Sequence, residues 1–312
     1  MNYELRKTTF ASCDGTNTVS ARIYVPQGRE IIGVVQLAHG MMDHVGRYEE
    51  LAEYLTGEGY VFAGNDHLGH GETAKDENSF GFFADKNGVG KVLYDLYSMN
   101  EYLRKEFDGF KPVIMGHSMG SFLSRLYVRK YPDTVSGHII HGTGGPMGII
   151  LPFGKALVNT LMLFRGKKHR SAFVAKMSFM GYNSKFAEEN SPVSWLTRET
   201  ARVSGEDRNK YTTFTFTLSA YRDLFRMIGW SNSGKWFKEY PKNIPTLVMS
   251  GDMDPVGKYG KDPKYIYDKL VKCGVSNVQL KMYEGARHEL FNESCRNEVF
   301  GDMKTWLSGV GK

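Results

Sequence analysis

Short apolar runs alternate with longer segments of helical periodicity, and this alternation most restricts the folds open to the chain. The runs are rich in β-branched residues, most of them end in Gly, Asp or His, and they span residues 31–38, 60–65, 112–116, 135–141 and 244–250. Continuous apolarity, without strict alternation, is expected of parallel strands that helices cover on both faces. The sequence therefore predicts an α/β fold around a mostly parallel sheet.

The remaining periodic segments extend this plan. Residues 3–10 and 18–25 predict an antiparallel pair joined near Asp14-Gly15, and residues 277–283 predict a last strand. Between the strands, 3.6-residue periodicity predicts helices at residues 48–58, 89–107, 119–131, 264–273 and 298–307.

The alternation stops between residues 146 and 241. Helical periods occur there at residues 153–164, 194–203 and 214–228, without a convincing strand. A helical insertion between two parallel strands is typical of a cap over the carboxyl ends of the sheet, the edge at which ligands bind in open α/β folds. We therefore predict a core of residues 1–145 and 242–312 and a helical cap of residues 146–241.

Composition and charge exclude several classes of protein. The net charge of +6 is mild, and the basic excess is not gathered on one face as in a nucleic-acid binder, so no nucleic-acid partner is expected. The one dense basic run, residues 165–170, is interpreted as a solvated loop in preference to a contact for anionic lipid. No stretch approaches the roughly 20 apolar residues of a membrane span, and the first residues lack the apolar core of a signal peptide. Three scattered cysteines suggest reduced thiols, so a cytoplasmic protein is expected.

The sequence Gly116-His117-Ser118-Met119-Gly120 lies where a predicted strand meets a predicted helix. In a Gly-x-Ser-x-Gly elbow the serine occupies a strained turn, and the flanking glycines relieve the crowding that side chains would cause. The helix that follows offers free N–H groups and a favourable dipole for an oxyanion. This context predicts that Ser118 is a nucleophile, although a glycine-rich turn with a capping serine has the same pattern.

A serine nucleophile needs a base and an acid, which follow it along the chain in this type of fold. His288 comes directly after the predicted last strand, in a loop that can reach back over the elbow, and is predicted to be the base. The acid should follow the strand at residues 244–250, where Asp252 and Asp254 are both available. Pro255 fixes an extended path after Asp254, which favours Asp254, whereas Asp252 suits a turn.

With these residues in place, the chain resembles the monoglyceride lipase and lysophospholipase branch of the α/β-hydrolases. The likeness rests on five ordered motifs, which lie at residues 39–48, 65–71, 116–120, 251–254 and 285–288. The resemblance implies an eight-stranded, mainly parallel sheet with helices on both faces beneath a helical cap. It also implies a triad of Ser118, Asp254 and His288, with the oxyanion held by the backbone N–H groups of Met41 and Met119.

Two departures from the family concern the substrate site. Animal monoglyceride lipases carry a second histidine three residues after the catalytic one, and Phe291 stands at that place here. Their cap also carries thiols near the acyl tunnel, whereas residues 146–241 contain no cysteine. The sequence therefore leaves Asp43 and Arg47, beside Phe291, as the candidate substrate-binding residues.

We predict a serine carboxylic-ester hydrolase that acts on small acyl esters such as monoacylglycerols or lysophospholipids through an acyl-enzyme. One alternative is an aminopeptidase of the same fold, in which a cap carboxylate, from Glu188, Glu189 or Glu206, would bind the substrate amine. A second is a hydrolase-fold protein that only binds ligand.

No cofactor or metal is expected. Asp66, His67 and His70 have metal-ligand chemistry, but the family loop and its tight glycine turns explain their presence. The apolar stripe at residues 149–164 is interpreted as the wall of an acyl tunnel, with transient contact between the cap and a membrane surface as the alternative.

Overall fold

The structure of the protein is a computed structural model, and it describes residues 2–204 and 209–310. These residues contain eight β-strands: β1 (Tyr3–Ala11), β2 (Thr18–Pro26), β3 (Gly33–Ala38), β4 (Tyr60–Asn65), β5 (Val113–His117), β6 (Gly137–His141), β7 (Thr246–Gly251) and β8 (Val278–Tyr283). The strands form one sheet in the order β1-β2-β4-β3-β5-β6-β7-β8. β1 pairs antiparallel with β2, and β2 with β4, whereas every other neighbouring pair is parallel.

The same described residues form nine α-helices. They are α1 (Glu49–Gly57), α2 (Gly88–Glu106), α3 (Met119–Lys130), α4 (Ile150–Arg165), α5 (Ala172–Ser178), α6 (Leu218–Ser231), α7 (Gly234–Glu239), α8 (Lys261–Lys272) and α9 (Arg296–Ser308). None of the helices described is long and apolar enough to cross a membrane.

Helices cover both faces of the sheet, as its apolar strands require. On one face, Leu123 of α3 and Leu96 of α2 belong to the same buried cluster as Ile114 of β5. On the other, Leu51 of α1 and Phe300 of α9 pack in the cluster that contains Met115. Alternate residues of one strand thus contribute to opposite cores, and β5 is buried throughout. The predicted α/β-hydrolase fold, with its eight-stranded and mostly parallel sheet, is confirmed.

Residues 142–245, between β6 and β7, are called the insertion below. In its described part the insertion contains α4 to α7 and short 3₁₀ turns, and no strand. The predictions of helices at 153–164 and 214–228 correspond to α4 and α6, whereas α5 and α7 were not predicted.

The predicted helix at 194–203 is wrong. Only Thr200–Val203 forms a 3₁₀ turn, and the preceding residues are irregular. The reason is that their carbonyl groups bind the core instead of one another: Leu196 O accepts from the Glu289 N–H (2.7 Å). The carbonyl of Ser194 accepts from the guanidinium of Arg287 at 2.6 Å. Tertiary hydrogen bonds have replaced the helical ones that the local periodicity favours.

Candidate active site

Ser118 lies in the sharp turn between β5 and α3. Its backbone angles, φ 52° and ψ −118°, fall in a region that residues with a side chain rarely occupy, and such strain costs about 1–3 kcal/mol. The Ser118 N–H donates to the carbonyl of His141 at 3.0 Å, which ties the turn to β6. A Cβ atom at Gly120 would lie 1.9 Å from the carbonyl oxygen of Ala38, so only glycine lets α3 pack this close to β3.

His288 and Asp254 form a buried pair at the same edge of the sheet. Asp254 follows β7, His288 follows β8, and the His288 Nδ1 atom lies 2.9 Å from Asp254 Oδ2. The other carboxylate oxygen of Asp254 accepts from the Val256 N–H at 2.8 Å. Burial alone lowers the pKa of His288, but the charge of Asp254 and the hydrogen bond to it outweigh burial, so the pKa is raised.

Asp252 has a different partner. Its Oδ1 atom accepts from the Gly285 N–H at 2.8 Å and so joins the loop after β7 to the loop after β8. The side chain is partly exposed, whereas Asp254 is fully buried. The two aspartates are therefore separated as their neighbours in the sequence suggested: Asp254 faces the imidazole and Asp252 holds a turn.

The loop after β3 lies close to Ser118 and carries the backbone N–H group of Met41. A Cβ atom at Gly40 would lie 3.4 Å from the Cβ of Ser118, which shows how closely this loop approaches the elbow. Within residues 2–204 and 209–310, the N–H groups of Met41 and Met119 donate to no protein acceptor. Met119 is the first residue of α3, where the helix leaves its N–H free. Two free backbone donors beside a serine suit a developing oxyanion.

Asp43 and Arg47, predicted to contact substrate, are engaged within the protein. Asp43 is buried, and its carboxylate accepts from the Gly40 N–H (3.0 Å) and the Tyr48 hydroxyl (2.7 Å). Burial alone would raise the pKa of Asp43, but Arg47 beside it holds that pKa well below its usual range. Arg47 also donates to both carboxylate oxygens of Glu289, at 3.1 and 2.9 Å. This network orders the Gly40 loop and leaves Asp43 without a free oxygen for a ligand.

Phe291, the third predicted substrate contact, packs beneath the site. Its ring lies 4.5 Å from the ring of His141 and 6.0 Å from that of Phe300, and the side chain is buried. His141 in turn is hydrogen-bonded to His117, and the Nδ1 atoms of the two imidazoles lie 3.0 Å apart. Burial lowers the pKa of His141 to about 3, so this histidine is neutral. Phe291 thus packs against His141 at the end of β6 and against Phe300 of α9.

The residues considered as a metal site have other partners. The carboxylate of Asp66 accepts from the N–H groups of Val45 (2.9 Å) and Glu72 (2.8 Å). Burial lowers the pKa of His70 to about 3 and that of His67 well below its usual value. In the part of the chain that the structure describes, no group of three or more His, Cys, Asp or Glu residues could hold a metal ion.

Sequence reasoning missed the residues through which the insertion contacts the loop around His288. The indole of Trp195 lies 5.1 Å from the His288 imidazole, measured between ring centroids. Arg287 donates to both carboxylate oxygens of Glu189, at 2.8 Å to Oε2, and its guanidinium lies over the ring of Phe186. No local signal pointed to this contact, because pairing across about 90 residues leaves no periodicity in the sequence.

A strained serine, a buried histidine–carboxylate pair and two free N–H donors meet at one edge of an eight-stranded sheet. The molecule is a serine hydrolase of the α/β-hydrolase fold. The sequence model of a family described as "Serine aminopeptidase, S33" matches residues 29–295, and the chain belongs to that family.

Named relatives cover most of the chain. It is 26% identical to the human monoglyceride lipase, over 88% of this chain and 82% of the relative. It is 24% identical to a monoglyceride lipase homolog of monkeypox virus, over 88% of both chains. Among solved structures, a thermostable carboxyl esterase from Bacillus coagulans, in complex with glycerol, matches with a TM-score of 0.90 and 26% identity, over 98% of both chains.

Proposed function

We propose that the protein is a carboxylic-ester hydrolase that cleaves acyl esters, monoacylglycerols among them, with Ser118, His288 and Asp254 as its triad. The observation that carries the proposal is the buried 2.9 Å contact between His288 and Asp254 at the strand edge where Ser118 is strained. The named relatives support the ester class, since they are monoglyceride lipases and an esterase.

The reaction proceeds in two steps. Ser118 Oγ attacks the ester carbonyl carbon while His288 takes the hydroxyl proton, and the N–H groups of Met41 and Met119 bind the oxyanion. The bond to the alcohol breaks as His288 returns the proton to the leaving oxygen. Water then attacks the acyl carbon while His288 takes its proton, and the bond to Ser118 Oγ breaks as His288 returns the proton to that oxygen and the carboxylic acid leaves. Asp254 keeps the proton of the resting imidazole on Nδ1 and stabilises the charged form.

The peptidase alternative has less support. The amine of a peptide substrate would need a free carboxylate from the insertion, yet Glu189 is paired with Arg287. Glu188 is exposed, and Glu206 lies outside the described residues. The surroundings of the site are instead apolar and aromatic, with Trp195 and Phe179 in contact. These observations favour an acyl ester over a charged peptide terminus.

We propose that the insertion is a cap that binds the acyl chain. The inward side of α4, with Leu157 and Leu161, packs against the core cluster that contains Met119 and Phe122. Burying each acyl CH₂ is worth about 0.8 kcal/mol, so kcat/KM should rise from acetyl to about octanoyl esters. On the alcohol side Asp43 and Arg47 are already paired, so only modest preference for glycerol over a simple alcohol is expected.

We also propose transient contact between the insertion and a membrane surface. In the described part of the insertion, nine large apolar side chains are exposed: Ile149, Ile150, Phe153, Leu163, Phe164, Phe173, Met177, Met180 and Trp230. Leu163 is 84% and Phe164 81% exposed, at the end of α4 where the basic run begins. An apolar surface rimmed by cations suits an anionic lipid interface. A cytoplasmic location is proposed with it, on the ground of the scattered cysteines.

A fluorophosphonate probe tests the catalytic assignment directly. The wild-type protein should be labelled at Ser118, and Ser118→Ala should lose both labelling and ester hydrolysis with its melting temperature nearly unchanged. Ser98→Ala is the control and should keep both, because Ser98 lies in α2 and its hydroxyl donates to the Tyr94 carbonyl of the same helix (3.1 Å). Parallel assays of an acyl glycerol and an amino-acid anilide then separate esterase from peptidase. Labelling at another serine, or faster anilide cleavage, would overturn the proposal.

A further inference from the structure

The imidazole of His288 has an aromatic neighbour on the insertion side. The ring of Trp195 lies 5.1 Å from it, measured between centroids, with the two planes inclined by 33°. The ring of His117, from β5, lies 4.8 Å from His288. His288 is almost fully buried between core and insertion, and Trp195 is the aromatic contact that the insertion supplies.

The contact is held by hydrogen bonds on both sides of each residue. Arg287 and Glu289 flank His288, and they donate to carbonyl groups that flank Trp195: Arg287 to those of Ser194 (2.6 Å) and Thr197 (3.3 Å), and the Glu289 N–H to that of Leu196 (2.7 Å).

The indole is fixed from its own side as well. The backbone N–H of Trp195 donates to Asn183 Oδ1 at 2.9 Å, and the indole ring packs on the rings of Tyr182 (5.0 Å) and Phe179 (5.9 Å). The position of the indole against the imidazole is therefore a built feature of the fold.

We propose that Trp195 is a positioning residue for His288, one that holds the imidazole in its reactive orientation and stabilises its charged form through the face of the indole. The inference rests on the proposed function, because it concerns the base of the same site. During acyl transfer His288 becomes an imidazolium, and a cation within about 6 Å of an indole centroid is attracted by the ring quadrupole, most strongly where water is excluded.

The charged groups that act on His288 lie in the core, so they do not replace a contribution from the insertion. Asp254 is its direct partner, and Glu289 and Asp43 act at longer range in the same direction. His117 and His141 face it from β5 and β6, and burial keeps the pKa of both well below the usual value, so they are neutral. Trp195 is the uncharged aromatic group on the insertion side.

The test compares Trp195→Leu and Trp195→Phe with Phe179→Leu. Phe179 packs on Trp195 but makes no ring contact with His288 among the described residues, so its replacement perturbs the same aromatic cluster one ring away. In Trp195→Leu the apparent pKa in the kcat/KM profile should fall by about one unit and kcat by about tenfold. Trp195→Phe should lie between wild type and leucine, and Phe179→Leu should keep the wild-type pKa.

A second readout does not depend on turnover. NMR titration of ¹³C-labelled histidine in the resting enzyme, with the His288 resonance assigned from His288→Gln, should give the same order of pKa values. Unchanged His288 pKa values in both Trp195 variants, with a change in KM alone, would overturn the inference and make Trp195 a substrate contact. Failure of the proposed function is distinguishable, because fluorophosphonate labelling of Ser118 would then be absent in the wild-type protein itself.

Discussion

Helices α3 and α4 differ in how far their side chains are buried. In α3, which follows Ser118, ten of the 12 residues are buried. In α4, at the start of the insertion, Val158 is the only buried residue among 16, although α4 is the more apolar helix by sequence. α3 is packed between the sheet and α6, and even its Arg125 is fully buried, with its guanidinium on the ring of Trp236.

The difference separates two tasks. A nucleophile in a strained turn needs a support that cannot relax, and the dense packing around α3 supplies it. Among residues 2–204 and 209–310, nothing packs on the outward side of α4, so its apolar surface is available to a lipid or a ligand. Substitutions in the core should therefore change catalysis and stability on any substrate. Substitutions on the outward side of α4 should change the rate only when the substrate is held in a lipid surface.

The largest expected effect lies in the core site. Asp254→Asn should lower kcat by about 10⁴, as the equivalent change does in a serine-protease triad, because the imidazole loses its oriented tautomer. Asp252→Asn is the matched control: the carboxamide oxygen can still accept from the Gly285 N–H, so kcat should stay within about threefold, since surface substitutions cost little. Steady-state kinetics on a soluble ester measure both. Equal losses in the two variants would show that the acid is misassigned.

The pH dependence of the core site comes next. The proposed base, His288, can accept a proton only when it is neutral, and Asp254 raises its pKa above the ordinary value of about 6.5. Below that raised pKa, kcat/KM should fall about tenfold per pH unit, or about a hundredfold over two units. A profile of kcat/KM from pH 5 to 9 should therefore have its inflection above 6.5. Removing the charge in Asp254→Asn should move the inflection down, and an unchanged inflection would contradict the assigned pairing.

The contrast between the two regions also explains how much of the molecule the sequence could predict. The strands and the elbow follow from local rules: an apolar run, a glycine pair and a helical period specify the turn at Ser118. The choice of Asp254 over Asp252 followed from Pro255, and the structure brings Asp254, not Asp252, to His288.

Residues bound across long sequence distances could not be read in this way. The carbonyl groups of Ser194, Leu196 and Thr197 bind the loop around His288, and periodicity alone predicted a helix there. Asp43 was expected to face substrate, but its partners, among them the Tyr48 hydroxyl, are assigned only once the loop is folded. The basic run is another case. Lys167 donates to the carbonyl of Asp85 and Arg170 to that of Phe80, so part of it anchors the insertion to the core.

The contacts that Arg287 makes between the core and the insertion are expected to contribute moderately to the free energy of unfolding. Arg287→Met removes the pairing with Glu189 and leaves the carbonyls of Ser194 and Thr197 without their donor. The free energy of unfolding should fall by about 2 kcal/mol, because Arg287 is buried whereas Glu189 is partly exposed and can be solvated. Glu189→Gln keeps an acceptor and should cost less than about 1 kcal/mol. Urea denaturation measures both, and equal costs would place the stabilisation in the charge of Glu189 instead of the carbonyl contacts.

The smallest effect on stability, and the one most specific to the insertion, is expected at the end of α4. Replacing Leu163 and Phe164 together by serine removes two side chains that are more than four-fifths exposed, so the free energy of unfolding should change by no more than about 0.5 kcal/mol. Hydrolysis of a soluble short-chain ester should also be unchanged.

With monoacylglycerol in vesicles that contain anionic lipid, by contrast, the double variant should be about tenfold slower, since partial burial of the two apolar side chains in the interface is together worth on the order of 1.4 kcal/mol. Ala156→Ser, at an exposed but small residue of the same helix, is the control and should match the wild type on both substrates. A loss on the soluble ester as large as that on vesicles would mean that Leu163 and Phe164 line an acyl tunnel. The outward side of α4 would then serve the same site as α3, and the division of tasks between the two helices would fail.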